Sequence, residues 1–176
     1  MAANTVPLAL NDPHDNPEHY EFLRGQWSKK ESVGRVDHSD IEMIIWALLR
    51  PIAITLHARV AHEWTIVYGS ERIIPDVTLS FPNPEISDGY LVAPAFLVVE
   101  CRSRHQRMRT LLDKCRLDHH RMGTPHCWII DTEEECAYEC HKEMNGMHRL
   151  VDTLTAGPDV SLGVADIFEE FKRAAL

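Results

Sequence analysis

Two acidic residues stand at the ends of strongly apolar segments of the sequence. Glu100 follows the apolar run 97–99, and Asp76 follows Pro75 at the start of the segment 77–81. A buried, ionised carboxylate costs several kcal/mol unless it is paired with a cation or coordinates a metal. If the two segments are neighbouring strands, the carboxylates converge and offer the oxygen ligands that Mg²⁺ prefers. Such an ion can polarise a phosphodiester and lower the pKa of a bound water, so the pair suits metal-assisted hydrolysis.

A basic residue next to this pair has two readings. Arg102 lies two positions after Glu100, so on a strand both side chains point to the same face. Its guanidinium could stabilise negative charge that develops on a phosphate. The alternative is structural: Arg102 or another arginine forms an ion pair with Glu100, and Asp76 is an ordinary acid in the turn after the proline. The spacing alone leaves both readings open.

Basic residues are concentrated in one short part of an otherwise acidic chain. The formal net charge of −9 argues against a surface that attracts nucleic acid as a whole. A nucleic-acid partner would therefore need a local patch, in which Arg104, Arg107 and Arg109 would contact the phosphate backbone. A solvated helix and loop is the alternative. The basic residues of this segment are Arg102, Arg104, Arg107, Arg109, Lys114 and Arg116, with Asp113 the only acid among them.

The elements that carry these residues are predicted as a helix, three strands, a second helix and further strands. Ser39 or Asp40 would cap a first helix from Ile41, and Pro51 should kink or end it. The later segments are strands at 64–68, 73–81 and 96–101, a helix at 107–122, strands at 126–130, 135–141 and 146–151, and a helix at 166–171. This order predicts an α/β fold of the mixed α+β kind, with helices packed on a mixed sheet.

The length of 176 residues suits one domain. We expect residues 1–17, which contain three prolines, to form a flexible arm, and residues 18–176 to form the domain. No apolar run reaches the roughly 18 residues that cross a bilayer, and no signal peptide is evident. An odd number of cysteines, five, does not suit a disulfide framework. A cytoplasmic protein without membrane contact is therefore expected.

Several segments between residues 20 and 172 together match one known pattern. The segment IIPDVTLS, followed by PAFLVVECRSR, is similar to the PD…(D/E)xK nuclease signature. YEFLRGQW is similar to a "YE-hydrophobic-x-x-G" opening, and HSDIEMIIWALL to a histidine-led first helix. GTPHCWIID is similar to a "GVPEYWLVD" strand, and LGVADIFEEF to a closing "LDVAELF" segment. In order and spacing the chain resembles the Uma family (DUF820) of restriction-endonuclease-like proteins in the PD-(D/E)xK superfamily.

The resemblance implies a restriction-endonuclease-like central mixed β-sheet flanked by helices. It also implies Mg²⁺ or Mn²⁺ at Asp76 and Glu100, and metal-dependent hydrolysis of DNA phosphodiester bonds. A further carboxylate often completes such sites, and Glu21 of the YE motif or Glu42 of the first helix could supply it. Restriction-like enzymes often act as dimers, so a homodimer is the assembly to test.

The chain departs from the family pattern at the basic positions. Arg102 stands where the signature has lysine, and its planar guanidinium does not replace an amine. The family often carries a lysine on the following helix, but counting back from Gly123 places that position at Cys115, next to Lys114. A shift of one residue turns a helical side chain by about 100°. The family's tyrosine on that helix corresponds to His119.

These departures leave more than one function open. The catalytic candidates are Asp76, Glu100, Arg102, Lys114 and Glu21. The first alternative is a catalytically impaired DNA-binding or regulatory protein with a nuclease fold, and the second is an interaction module with no role on nucleic acid. The distance between the two central carboxylates, and a cleft above them, would separate these readings.

Overall fold

The computed structural model describes residues 20–30, 36–82, 84–104, 106–142 and 148–174, and for residues 36 and 37 it describes the backbone alone. The predicted N-terminal arm, residues 1–17, lies outside these ranges. The N-terminal elements are β1 (Tyr20–Leu23), β2 (Gln26–Lys29), α1 (Val36–Thr55), β3 (Arg59–His62), β4 (Ile66–Tyr68), β5 (Glu71–Ile73), β6 (Val77–Ser80), β7 (Ile86–Ser87) and β8 (Tyr90–Leu91). After β9 (Leu97–Arg102) come α2 (Met108–Asp113), a π-helical segment (Lys114–His119), α3 (His120–Met122), β10 (His126–Asp131), β11 (Cys136–His141), β12 (His148–Val151), β13 (Thr153–Ala156), β14 (Val160–Gly163) and α4 (Val164–Ala174).

A mixed sheet of six strands organises the fold, in the order β12-β11-β10-β9-β6-β3. Its central pair, β9 and β10, is parallel, whereas β10–β11, β11–β12, β9–β6 and β6–β3 are antiparallel. A second sheet has the order β2-β1-β5-β4-β8-β7, and β13 and β14 form a separate hairpin. The predicted mixed α/β fold with helices on a central sheet is confirmed. The hairpin of β13 and β14 was not predicted.

Two apolar clusters cover the two faces of the central sheet. The first contains Ile41 and Ile45 of α1 and Phe168 of α4, packed on Val77 and Val99. The second joins α2 and the π-helical segment to the other face and to the second sheet through residues such as Val98, Ile129, Leu111 and Ile73. Strands β9 and β10 are buried on both faces, which explains why they read as continuous apolar runs rather than alternating ones.

Helix α1 differs from its prediction at both ends. It begins at Val36, several residues before Ile41, and it continues through Pro51 to Thr55. A proline inside a helix leaves the carbonyl four positions earlier without a donor. That carbonyl belongs to Ala47, and both Ala47 and Pro51 are on the exposed side of α1. Water can therefore satisfy the carbonyl, and burial of Leu49 and Ala53 on the other side holds the helix together.

Strands β6 and β9 are neighbours, which is the condition on which the predicted carboxylate pair depends. They run antiparallel, and Val77 lies opposite Val99. The same register, extended by one residue, brings Asp76 beside Glu100. In the part of the chain that the structure describes, no helix is long and apolar enough to span a membrane.

Candidate metal centre

Asp76 and Glu100 meet at one end of the central sheet. Both are buried, with 2% and 3% of their surface exposed. The Cys101 backbone N–H, directly after Glu100, donates a 2.6 Å hydrogen bond to Asp76 Oδ2. Both acids line a cleft of about 160 Å³. The cleft is lined by Glu21, Leu23, Arg24, Ser28, Lys29, Lys30, Asp76, Glu100, Cys101, Gln106, Thr110, Lys114 and Asp118.

Lys114 joins two acids on the floor of this cleft. Its Nζ lies 3.0 Å from Glu100 Oε1 and 3.1 Å from Glu21 Oε1. Glu21 Oε1 also accepts a 2.8 Å hydrogen bond from the Ile74 N–H. Burial disfavours the ammonium, but the charges of Glu100 and Glu21 outweigh burial and raise the pKa of Lys114. Lys114 therefore remains protonated near neutral pH and supplies a fixed positive charge beside Glu100.

The π-helical segment explains how Lys114 reaches the cleft. A π-helical turn closes its hydrogen bonds over five residues instead of four and is often found at functional sites. Lys114 and His119 are the first and last residues of this segment. In a regular α-helix they would be rotated apart by about 140°. Here His119 Nε2 lies 2.6 Å from Glu100 Oε1, so both side chains contact the same carboxylate.

Arg102 lies outside the cleft lining and contacts other groups than Glu100. Its Nη1 donates to Asp131 Oδ2 at 2.6 Å, and its Nε donates to the Gln106 carbonyl at 2.9 Å. The physical reason is the strand register, because Arg102 and Asp131 are direct neighbours on β9 and β10. The predicted ion pair between Arg102 and Glu100 is therefore wrong, since Lys114 and His119 take that place. The position of Arg102 also gives no support to a catalytic role.

A buried cluster of three potential metal ligands lies on the other side of Asp76. Ligand atoms of His38, Glu42 and Asp76 all lie within 4.8 Å of one another. His38 Nε2 is 2.7 Å from Glu42 Oε1 and 3.6 Å from Asp76 Oδ1. His38 Nε2 and Glu42 Oε1 are both buried, and at this distance the carboxylate contacts the imidazole directly and helps to raise the pKa of His38. Three ligand atoms this close also suit a shared cation once His38 has lost its proton, so the inner cluster fits a divalent metal.

Attraction between the charged side chains of the inner cluster and its neighbour Lys30 stabilises the cluster. Burial disfavours a charged imidazole, but the Asp76 and Glu42 carboxylates outweigh burial and raise the pKa of His38 to about 9. Burial likewise disfavours the Asp76 carboxylate, but Lys30 and His38 outweigh it and lower the pKa of Asp76. His38 must therefore give up a proton before it can act as a metal ligand.

Sequence reasoning missed His38 and Lys30. His38 could have been found from its position, because it precedes Glu42 by four residues and so shares its helix face. Lys30 is 5% exposed, and its Nζ lies 2.9 Å from Asp76 Oδ1 and 2.7 Å from Glu63 Oε1. Nothing in the polar stretch around Lys30 marks it as different from a surface lysine.

Glu42 also takes part in a second, outer cluster. Its Oε2 lies 2.6 Å from His62 Nε2, and ligand atoms of Glu42, His62 and Glu63 lie within 4.8 Å of one another. The hydrogen bond to Glu42 is the main cause of the raised pKa of His62. The side chains of His62 and Glu63 are partly exposed, 32% and 40%. Among the described residues, these inner and outer clusters are the groups of three or more His, Cys, Asp or Glu whose ligand atoms come close enough to hold a metal, and Glu100 belongs to neither.

The three arginines predicted to contact DNA lie beside the cleft. Arg104, Arg107 and Arg109 are exposed. Two residues of the same segment, Gln106 and Thr110, line the cleft. Arg104 and Arg109 have only long contacts to acids, 3.9 Å to Glu133 and to Asp113 respectively. The three arginines are therefore exposed on a segment that contributes to the cleft lining.

Comparison with known proteins gives one family and one fold. The family model Uma2, described as "Putative restriction endonuclease", matches residues 8–173. The crystal structure of "a putative nuclease belonging to DUF820" from Anabaena variabilis ATCC 29413 has a TM-score of 0.75 to this chain. The two are 17% identical over 90% of this chain and 94% of that one, which shows a shared fold. No curated protein matches the chain. Because the family model spans nearly the whole chain, the protein belongs to the Uma2 family.

Proposed function

We propose that the protein is a metal-dependent endonuclease that hydrolyses phosphodiester bonds of DNA at the cleft above Asp76 and Glu100. The observation that carries this proposal is the buried inner cluster, whose three ligand atoms lie within 4.8 Å of one another, next to the Glu100–Lys114 pair. The Uma2 family is described as "Putative restriction endonuclease" and the Anabaena variabilis protein as "a putative nuclease", and both descriptions support the proposal.

The candidate metal is Mg²⁺ or Mn²⁺. Asp76 and Glu100 are the predicted ligands, and His38 and Glu42 of the inner cluster extend the set. When bound, such a cation would polarise the phosphodiester and lower the pKa of the water that attacks phosphorus. Mn²⁺ accepts imidazole nitrogen more readily than Mg²⁺ does, so His38 favours Mn²⁺.

The protein's own side chains would orient the phosphate and stabilise its charge. Lys114 supplies a permanent ammonium that can donate hydrogen bonds to a phosphoryl oxygen. His119 and Glu21 hold Lys114 and Glu100 in place, since His119 contacts Glu100 and Glu21 contacts Lys114. Arg104, Arg107 and Arg109 would bind the backbone of the DNA on either side of the bond that is cut.

The experiment that tests the proposal compares wild type with Asp76→Asn on supercoiled, linear and single-stranded DNA. Wild type should cleave at least one of these forms with Mg²⁺ or Mn²⁺ and none with EDTA. We expect Asp76→Asn to lower the rate on the order of 10²- to 10³-fold, as loss of a key electrostatic group does. Absence of cleavage of every DNA form by folded, clean wild-type protein would contradict the proposal.

A second candidate is a DNA-binding or regulatory protein that has lost cleavage. The observation that favours it is Arg102, which replaces the signature lysine and is bound to Asp131. It predicts salt-sensitive DNA binding with no cleavage under any metal. The contact between Lys114 and Glu100 favours the endonuclease instead, because Lys114 supplies an amine at the site.

A further inference from the structure

We infer that Arg24 binds a phosphate of the DNA backbone at the cleft, and that Asp118 is the positioning residue that directs its guanidinium there. This inference rests on the proposed function, because it names a contact between the same cleft and its substrate. Both residues line the cleft. They belong neither to the metal clusters nor to the set of Arg104, Arg107 and Arg109.

The charge of Arg24 is accessible, unlike the charges of two lysines in the same cleft lining. Lys30 and Lys114 each lie between two carboxylates, and 4% and 15% of their side-chain surface is exposed. The exposed fraction of the Arg24 side chain is 57%. A guanidinium has five N–H donors. The contact of Arg24 Nε with Asp118 Oδ1, at 3.3 Å, is the one ion pair that Arg24 forms with a described residue, so other donors are free to meet an anion.

Asp118 gives Arg24 a buried partner that restricts its direction. Asp118 lies in the π-helical segment and is 0% exposed. Within the described ranges, Arg24 is the one residue that forms an ion pair with it. Burial raises the pKa of the Asp118 carboxyl, and the charge of Arg24 opposes this rise more than any other charge does. A guanidinium that is already held by a carboxylate loses less conformational freedom when it binds a phosphate.

The backbone at Arg24 is a separate observation that points to a role of its side chain. Arg24 and Gly25 form the two-residue turn between β1 and β2, with φ of 53° and 78°. Positive φ at both positions is typical of a type I′ turn, in which asparagine, aspartate or glycine is favoured at the first position. Arginine is not favoured there. Turn geometry therefore does not explain Arg24, whereas a contact made by its side chain in the cleft does.

A backbone phosphate is the ligand that this arrangement fits. The planar fork of a guanidinium matches the oxygens of a phosphate and can donate two parallel hydrogen bonds. The turn that carries Arg24 is attached to β5, because the Arg24 N–H donates a 3.1 Å hydrogen bond to Glu71 Oε1. Gln106 and Thr110, from the segment of the three exposed arginines, line the same cleft. DNA in the cleft would therefore meet cations from the β1–β2 hairpin as well as from that segment.

The test measures the affinity of the full chain for duplex DNA in EDTA at several salt concentrations. Arg24→Asn gives the turn the preferred type I′ sequence Asn-Gly, so the hairpin should keep its fold, as thermal unfolding would show. This variant should bind DNA on the order of tenfold more weakly, because a charge-assisted hydrogen bond is lost. The slope of log affinity against log salt should fall by about 0.9, the value for one phosphate contact. Arg24→Lys should keep the slope, because it keeps the charge, and should lose only part of the affinity.

Asp118→Asn separates positioning from simple electrostatics. Loss of an acid from the cleft should tighten DNA binding if charge alone mattered. If Asp118 directs Arg24, the variant should instead bind more weakly, and the KM for DNA cleavage should rise about threefold or more while kcat changes little. Arg173→Gln is the matched control, because Arg173 is 65% exposed and is paired with acids on α4. It should change the DNA affinity by less than about twofold, since salt screens a charge far from the cleft.

Failure of this inference differs from failure of the proposed function. Unchanged affinity and salt slope in folded Arg24→Asn overturns the phosphate contact, and tighter binding by Asp118→Asn overturns the positioning role. If wild type cleaves DNA in either case, the endonuclease proposal stands without them. Wild type that binds DNA through Arg24 but cleaves no DNA form would support the contact and contradict the endonuclease. Wild type that neither binds nor cleaves DNA contradicts both.

Discussion

Lys114 carries a permanent charge beside Glu100, and this charge defines its expected role. Because its pKa is raised, Lys114 does not act as a general base near neutral pH. An ammonium fixed by two carboxylates costs little reorganisation when negative charge develops on a phosphate. Lys114 is therefore the residue from which we expect the largest effect on cleavage after the metal ligands.

Substitution of Lys114 and of Arg102, the two basic catalytic candidates, should distinguish their roles in cleavage. Lys114→Gln should reduce cleavage on the order of 10²- to 10³-fold, because it removes a charge next to the reacting phosphate. Arg102→Gln should leave the rate per folded molecule within about threefold, because Arg102 pairs with Asp131 outside the cleft lining. The measurement is the cleavage rate normalised to the folded fraction. A loss through Arg102→Gln equal to that through Lys114→Gln would return Arg102 to the catalytic set.

Asp76, Glu100, Glu21 and Lys114 could be selected as candidates from the sequence, but Lys30 and His62 could not. Glu100 was visible because a carboxylate at the end of an apolar strand is locally unusual. Lys30 and His62 sit in ordinary polar surroundings, and only the fold brings Lys30 to Asp76 and His62 to Glu42. These contacts join residues that are far apart in the sequence, and the local sequence pattern does not predict such contacts.

At the scale of elements, the π-helical segment is a feature that local pattern does not predict. The helix from Met108 to Met122 and its end at Gly123, which adopts φ of 111°, follow from periodicity and from the glycine. Counting positions along a regular helix placed Cys115 at the site of the family's lysine. The segment Lys114–His119 changes that count, since its turns are wider than α-helical turns. The apolar pattern does not distinguish the two kinds of turn, so only the structure could show that Lys114 contacts Glu100.

Another element-scale feature is the attachment of the β13–β14 hairpin to the central sheet. Glu139 of β11 is fully buried, and it accepts hydrogen bonds from Thr155 Oγ1 of β13 at 2.7 Å and from Arg149 Nη2 of β12 at 2.8 Å. Burial disfavours its carboxylate, but His141, Thr155 and Arg149 outweigh burial and lower the pKa of Glu139. The charged form of Glu139 therefore stabilises the folded state.

This contribution should depend on pH in a defined direction. A carboxyl whose folded pKa is lowered stabilises the fold above its unfolded pKa of about 4.5, and the stabilisation is lost as the pH falls through the folded pKa. Glu139→Gln should thus lower the free energy of unfolding by roughly 1–3 kcal/mol at pH 7. The difference from wild type should shrink as the pH falls below about 4.5. Denaturant unfolding at several pH values measures it, with exposed Glu169→Gln as control. A difference that is constant from pH 3 to pH 7 would contradict the role of the charge.

At the scale of the whole molecule, an acidic protein presents a basic edge beside its cleft. The net charge of −9 repels the DNA backbone at long range. The exposed Arg104, Arg107 and Arg109 lie on the segment that also supplies Gln106 and Thr110 to the cleft lining. We therefore expect DNA to approach with its backbone along this segment.

Reversal of charge at Arg107 and Arg109 tests this orientation. The double variant Arg107→Glu/Arg109→Glu should lower DNA affinity about tenfold or more near 0.1 M salt, because two phosphate contacts are lost. The slope of log affinity against log salt should fall by about 2, close to 0.9 for each phosphate contact. Binding is measured in EDTA, so that cleavage does not consume the DNA. Lys172→Glu/Arg173→Glu changes the net charge equally on α4, which packs with α1 on the other face of the sheet. An equal loss in both double variants would mean that net charge alone controls binding, whereas a loss confined to the first places the DNA along the cleft edge.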